Sequence, residues 1–231
     1  MFKIIVITGA SRGIGEKIAD YLSSIKGYKI INISRERNKN PKIKNLLCDI
    51  TRYQDVKKTF KKIKKIDVLI NNSAIARFSK NSIKNFDQII KTNLNGSFYC
   101  CIESLKFLKK SNGSSIINIS SINAYQAFPN NPGYVSSKGA IISLTKALAL
   151  DFGNQNVRVN SISPGYLSDG MSIKSFKNPK LNKQRVDRMI IKRWGCASDL
   201  FGAIEYLISE KSSYVTGQDI VIDGGWIAKG L

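Results

Sequence analysis

Histidine is absent from this chain of 231 residues. That gap excludes Ser-His-Asp and Cys-His nucleophilic sites and imidazole-ligated zinc. Proton transfer near neutral pH therefore falls to Tyr, Lys, Cys or a carboxylate of shifted pKa. Cysteine is scarce as well: Cys48, Cys100, Cys101 and Cys196 form no CxxC pair and read as reduced, mostly buried thiols of a cytoplasmic protein. Met1-Phe2-Lys3 runs straight into a short apolar segment, so no secretory leader is expected. No stretch approaches the ~18 consecutive apolar residues of a membrane span.

Acidic residues are few, 16 against 37 Lys and Arg, for a net charge of +21. Of the cations 28 are Lys and only 9 are Arg, and Lys, Ile and Asn together make up 82 of the 231 residues. Codons for these three are rich in A and T, so base composition accounts for the excess without a polyanionic partner. The cations are spread along the chain and favour Lys over the bidentate fork of Arg, which also argues against nucleic acid.

With 42% hydrophobic residues the chain has enough to bury a substantial core. Short β-branched runs alternate with helical periodicity throughout. Strands are expected at 3–8, 28–33, 46–48, 67–70, 115–119, 157–162 and 219–222. Helices are expected from Ile14 to Ile25, over 51–65, 84–109, 134–150 and 198–209. This order implies an α/β fold: one Rossmann-type, doubly wound parallel sheet of about seven strands with helices on both faces, in a single domain over 1–231. The stretch at about 164–197 shows no clear period and is read as a substrate loop or lid.

Between the first strand and first helix lies Thr8-Gly9-Ala10-Ser11-Arg12-Gly13-Ile14-Gly15. Glycines at 9, 13 and 15 permit a sharp turn and close approach of backbone to a pyrophosphate. The helix N-terminus supplies free N–H groups. In a strand–loop–helix context this reads as a dinucleotide site. The end of the second strand carries Ser34-Arg35 where an NAD-specific site would place an acid. With Arg12 in the loop, NADP(H) is favoured over NAD(H).

Further on, Tyr134-Val135-Ser136-Ser137-Lys138 places a phenol and an ammonium at i and i+4, on one helix face. A nearby cation favours phenolate, giving acid–base chemistry that needs no imidazole. Ser121 lies 13 residues earlier, just past the carboxyl end of a strand, where α/β sheets bind ligands.

The elements TGASRGIG at 8–15, Asp49, Asn71-Asn72-Ser73-Ala74, Asn93, Ser121, Tyr134 to Lys138 and Pro164-Gly165 occur in the order and spacing of one family. Nearly the whole chain resembles the short-chain dehydrogenase/reductase family. The resemblance implies that Tyr134 is the general acid/base, that Ser121 orients the substrate oxygen, and that Lys138 binds the nicotinamide ribose and tunes Tyr134. It implies that Asn93 holds a water linked to Lys138. Asp49 would contact the adenine end, with Asn72, Pro164 and Gly165 along the cofactor cleft beside Gly9, Ser11, Arg12, Gly13, Ile14, Gly15 and Arg35. No metal is expected. Two positions depart from the pattern: Ala74 replaces a glycine, and Asp169 stands where a threonine often contacts the carboxamide, with Ser168 as a substitute.

The implied function is NADP(H)-dependent reduction of a ketone to a secondary alcohol, or the reverse. A 3-oxoacyl-carrier-protein reductase is the leading model and a sugar-acid or polyol dehydrogenase the alternative. The substrate is a small carbonyl or alcohol, free or carrier-linked. A homo-oligomer, tetramer or dimer, is implied by the resemblance. A non-catalytic cofactor- or nucleic-acid-binding protein is the distant alternative.

Overall fold

Seven parallel strands form one sheet in the order β3-β2-β1-β4-β5-β6-β7. The structure is a computed structural model, and it describes residues 2–76, 82–111 and 113–229. The strands are β1 (Lys3–Thr8), β2 (Tyr28–Ser34), β3 (Lys44–Leu47), β4 (Val68–Asn71), β5 (Ser114–Ile119), β6 (Val157–Pro164) and β7 (Asp219–Ile222). Helices α1 (Gly13–Ser24), α2 (Tyr53–Phe60), α3 (Ile83–Ile90), α4 (Gly96–Leu108) and α5 (Pro132–Gly153) connect them. After β6 come α6 (Ile173–Lys177), α7 (Pro179–Arg188) and α8 (Phe201–Ile208).

The chain order reverses beside β1: β2 and β3 lie on one side, β4 to β7 on the other. A doubly wound sheet opens a crevice at such a switch point, outside the carboxyl ends of the strands. Every residue of β4, β5 and β6 is buried, as expected where helices cover both faces. One core lies under α2, α4 and α5 around Phe60, Leu69, Leu108 and Phe152. The other lies under α1 and α8 around Ile18, Leu22, Ile70 and Ile204. Truncating a wholly buried Leu22 to Ala costs about 3–5 kcal/mol.

The departures from the sequence pattern are local. The third strand is Lys44–Leu47 rather than 46–48, and α2 stops at Phe60, since Lys61 and Lys62 close it with a turn. The helix expected over 84–109 is α3 and α4 with a π-helical segment, Lys91–Asn95, between them. Helix α5 starts at Pro132, two residues before Tyr134, because proline at the first turn loses no hydrogen bond there. The segment read as irregular holds α6 and α7. Asn178 caps α7 by accepting from the Leu181 N–H, and Pro179 opens it.

Candidate active site

The glycine loop is shaped by backbone demands. Gly9 has φ +70°, and a Cβ there would meet the Cα of Ser73 at 2.9 Å. At Gly15 a Cβ would meet the Gly9 carbonyl oxygen at 2.5 Å. Neither position tolerates a side chain. The loop is then clamped from both sides by amides. The Ala10 N–H donates to Asn32 Oδ1 at 3.0 Å, and Asn38 Nδ2 donates to the Ala10 carbonyl at 2.6 Å. Asn72 Nδ2 donates to the carbonyls of Thr8 and Gly9 at 3.1 and 3.0 Å. Asn72 thus borders the cleft and also fixes the shape of its floor.

No side chain caps the start of α1, so its first-turn donors and the positive end of its dipole face the loop. Beside it opens a cavity of about 740 Å³, within the range of small-molecule sites. Its wall includes Gly9, Ser11, Arg12, Gly13, Ile14 and Gly15, together with Arg35, Asp49 and Asn72. These residues fit a dinucleotide: a loop too tight for side chains, uncapped helix donors, and a pocket of the right size. Asp49 is turned back on its own chain, accepting from the Thr51 N–H and hydroxyl at 3.0 and 2.8 Å. Pro164 and Gly165 do not border this cavity. The Gly165 N–H is bonded to the Ile222 carbonyl at 2.7 Å, against β7.

The sequence pattern overlooked several members of this wall. Glu36 borders it too and pairs with Arg12 at 3.4 Å, both largely exposed. Ser34 donates to the Glu36 carbonyl, which folds the Ser34-Arg35-Glu36 turn over the end of β2. Gly170 and Met171 reach in from the segment after β6. The buried Asn32 was the available signal: an amide in the middle of the apolar strand YKIINIS needs partners.

A second group lies next to the first, outside the cavity wall. Ser121, at the carboxyl end of β5, caps a short 3-10 turn, its Oγ accepting from the Asn123 N–H at 3.2 Å. The Ser121 hydroxyl lies near enough to the Tyr134 phenol to pull its pKa down against burial. One turn along α5, Lys138 Nζ sits 5.5 Å from the centre of the Tyr134 ring and donates to the Ile119 carbonyl at 2.7 Å. Ser120 Oγ donates to the Lys138 carbonyl at 2.8 Å, so strand end and helix turn are stitched together.

Asn93 sits in the π-helical segment, a distortion that recurs at functional sites. Its amide accepts from the Ile75 N–H at 2.8 Å, donates to the Ile75 carbonyl at 3.0 Å, and donates to Ser137 Oγ at 3.0 Å. Ile75 also borders the cofactor cavity, so it joins the two groups. Ser137, next to Lys138, is a further residue the motif reading passed over.

Protonation departs from the expectation that Lys138 lowers the Tyr134 pKa. Burial pushes Tyr134 up to about 12, against the opposing pull of Ser121. Burial also brings Lys138 down to about 8. Desolvation opposes both charges, outweighing Ser121 at the phenol and leaving Lys138 still mostly protonated at neutral pH.

Asp169 is fully engaged elsewhere. Lys17 on α1 donates to its Oδ1 at 2.5 Å and the Ala197 N–H to its Oδ2 at 3.0 Å. Burial alone would raise its pKa, but these bonds hold the carboxyl below its usual range. The residue therefore ties the segment after β6 to α1. Ser168 is held through its N–H on the Gly195 carbonyl.

Beyond the catalytic-side group stands an aromatic wall. The Tyr166 ring meets Phe128, Trp194 and Trp226 edge-on, with centroids 5.9, 5.3 and 4.8 Å away. Ile122, the residue after Ser121, packs with Met189 and Trp226 in the same cluster. Among the described residues no group of three or more Cys, Asp or Glu is placed to hold a metal, and no helix is long and apolar enough to cross a membrane.

The arrangement sets two hydroxyl groups, Ser121 and Tyr134, near each other and near a dinucleotide-sized cleft. Comparison with known proteins agrees with it. A family model described as Enoyl-(Acyl carrier protein) reductase matches residues 9–227. A 2-dehydro-3-deoxy-D-gluconate 5-dehydrogenase of Dickeya dadantii is 30% identical over 98% of this chain and 96% of its own. A 3-oxoacyl-acyl-carrier-protein reductase of Rickettsia bellii is 32% identical over 96% of this chain and 95% of its own. Among solved structures, a 4-hydroxyisoleucine dehydrogenase complexed with NADH superposes with TM-score 0.93 at 32% identity, covering 99% of this chain and 100% of that one. A gluconate 5-dehydrogenase of Burkholderia cenocepacia with NADP and tartrate superposes with TM-score 0.92 at 25% identity, covering 99% and 96%.

Proposed function

The chain belongs to the short-chain dehydrogenase/reductase family of NAD(P)-dependent oxidoreductases, and from that premise we propose that it interconverts a ketone and a secondary alcohol with NADP(H) as the preferred cofactor. The carrying observation is Lys138 Nζ, 5.5 Å from the centre of the Tyr134 ring, with Ser121 close enough to the phenol to lower its pKa. When bound, the nicotinamide supplies or accepts the hydride. Its phosphates would lie on the Gly9–Gly15 loop and the start of α1.

The protein's own residues handle the proton. In the reducing direction Tyr134 donates its phenolic proton to the carbonyl oxygen while the Ser121 hydroxyl gives that oxygen a second hydrogen bond. The raised Tyr134 pKa keeps this proton in place at neutral pH. In the oxidising direction the phenol must give up its proton before it accepts one from the alcohol. Lys138, charged and beside the ring, lowers the cost of that state. Asn93 fixes the first turns of α5 through Ser137.

Arg12 and Arg35 both line the cavity, and Glu36 is paired with Arg12, which supports the NADP(H) preference. The carrier of the ketone is a 3-oxoacyl thioester or, as the second reading, a sugar acid. The arginines over the aromatic wall favour the second. The segment 164–197 acts as the lid, within a single catalytic domain in the cytoplasm. Phe98 and Ile102 on α4 and Leu150 on α5 are exposed, which supports assembly into a dimer or tetramer through these helices.

A panel of 3-oxoacyl thioesters, keto sugar acids and simple ketones, assayed with NADPH and NADH, tests the reading. It expects turnover of at least one ketone with higher kcat/KM for NADPH. Absence of turnover across the panel by protein that binds NADPH would contradict it.

A further inference from the structure

Two arginines of α7, Arg185 and Arg188, stand over the aromatic wall beside Ser121, and we propose that they form an anion subsite that takes the carboxylate of the substrate. The proposal rests on the ketone-reductase reading and narrows its substrate class to carboxylic acids.

The pairing of cations in this lid shows why these two differ from the rest. Arg193 is satisfied: both of its terminal nitrogens hold the two oxygens of Asp199 at 2.8 Å. Among the described residues neither Arg185 nor Arg188 is ion-paired. Each lies instead against an aromatic face, the Arg185 guanidinium 4.8 Å from the centre of the Tyr166 ring and that of Arg188 4.7 Å from Trp226. Stacking fixes the plane of a guanidinium without using its in-plane donors.

Arg185 carries the stronger signal. Its Nη1 donates to the Leu181 carbonyl at 3.3 Å, whereas its Nε is buried and has no hydrogen-bond partner. A buried N–H of a charged group without an acceptor is costly, so a ligand acceptor there would satisfy what the protein alone leaves unpaired. The Nε and Nη2 edge presents two parallel N–H groups, the spacing that matches the two oxygens of a carboxylate. Arg188 is partly committed, its Nη2 donating to Gln126 Oε1 at 3.3 Å, the same oxygen that accepts from the Trp226 indole N–H at 2.8 Å.

The position suits a substrate rather than a surface ion. Tyr166 stands two residues past the end of β6, where ligands of such sheets bind. Trp226 and Met189 pack on Ile122, adjacent to Ser121. An acid whose carbonyl or hydroxyl lies at Ser121 and Tyr134 would direct its carboxylate away from them toward this wall. The flat rings of Tyr166 and Trp226 would cover the intervening carbons.

The test compares an oxo acid of the polyhydroxy type with its uncharged methyl ester, with NADPH, on wild type, Arg185→Met and Arg185→Lys. Wild type is expected to favour the acid by kcat/KM at least about tenfold, and Arg185→Met to lose about 30-fold on the acid, mainly in KM, while staying within about threefold on the ester. Arg185→Lys keeps the charge but not the fork and is expected to fall between. Equal use of acid and ester by wild type, or equal loss on both in Arg185→Met, would overturn the subsite. Quenching of tryptophan fluorescence by a polyhydroxy monocarboxylate, saturable in wild type and weakened in Arg185→Met, reads the subsite without turnover. Failure of the redox reading would leave that titration intact, and failure of the subsite would abolish it while the ester is still reduced.

Discussion

On the glycine-loop side of the cleft the wall is held by amides bonded to backbone: the buried Asn32 to Ala10, the half-buried Asn72 to Thr8 and Gly9, and the buried Asn93 to both polar groups of Ile75. On the other side the wall is four aromatic rings crossed by two guanidiniums from the ten-residue α7. Amide-to-backbone bonds fix positions to a few tenths of an ångström, because each partner has one direction. Ring and cation contacts are broad minima that tolerate sliding. On the proposed reading the first kind of wall would hold the cofactor common to the family, and the second would meet the substrate, which differs between relatives.

The contrast is broken most directly at Gly9. Gly9→Ala adds a Cβ 2.9 Å from the Cα of Ser73 at φ +70°, where neither backbone yields. Cofactor affinity, measured by fluorescence titration, is expected to fall by about 100-fold, with about 1–3 kcal/mol of stability lost. A loss below threefold would mean that the loop is as adaptable as the lid.

Next in size is cofactor choice. Arg35→Asp is expected to shift the NADPH to NADH ratio of kcat/KM by about 30-fold toward NADH. An unchanged ratio would move recognition of the 2′-phosphate to Arg12 alone.

A smaller effect comes from the dry pocket shared by both walls. The folded pKa of Lys138, about 8, lies below its unfolded value of 10.5. Between these the unfolded chain holds more protons, so the Lys138 contribution to stability grows as pH rises through that window. Tyr134, raised to about 12, works in the opposite sense only from about pH 10 upward. Wild type should therefore gain on Lys138→Met, by on the order of 1–3 kcal/mol in denaturant unfolding, between pH 7 and 10. Parallel pH profiles would place Lys138 in contact with water.

The smallest change is expected at the lid tether. Lys17, about half exposed, pairs with Asp169, and such pairs contribute at most about 1 kcal/mol. Lys17→Met should alter the KM for cofactor by less than about threefold.

The same contrast explains what the sequence disclosed. Gly9, Gly13 and Gly15, the Tyr134 and Lys138 pair, and Ser121 at a strand end are set by local geometry, so their spacing carries them. Six of the seven strands follow from β-branched runs between turns, whereas β3, KNLL, has none and begins two residues before the expected span. The lid was opaque because its organising contacts join Tyr166 to Trp194 and Trp226, residues 28 and 60 positions away, and no local period records them. Its helix α7 was readable only from the cap Asn178-Pro179. The π-helical break at Asn93 was hidden because the apolar spacing stays helical through it.

Asparagine teaches a further point. Its abundance was attributed to base composition, yet Asn32, Asn71, Asn118 and Asn160 are buried in four strands of the sheet, and Asn130 and Asn156 take positive φ. Composition supplied the residue, and the fold uses it where an amide or a left-handed turn is required.

The central claim is that Tyr134 exchanges the proton with the substrate oxygen, and Tyr134→Phe with the preferred ketone and NADPH tests it most directly. The substitution keeps the ring over Lys138 and removes only the hydroxyl. The account predicts a fall in kcat of about 10³-fold or more with the dissociation constant for NADPH changed by less than about threefold. Turnover within about tenfold of wild type would contradict it.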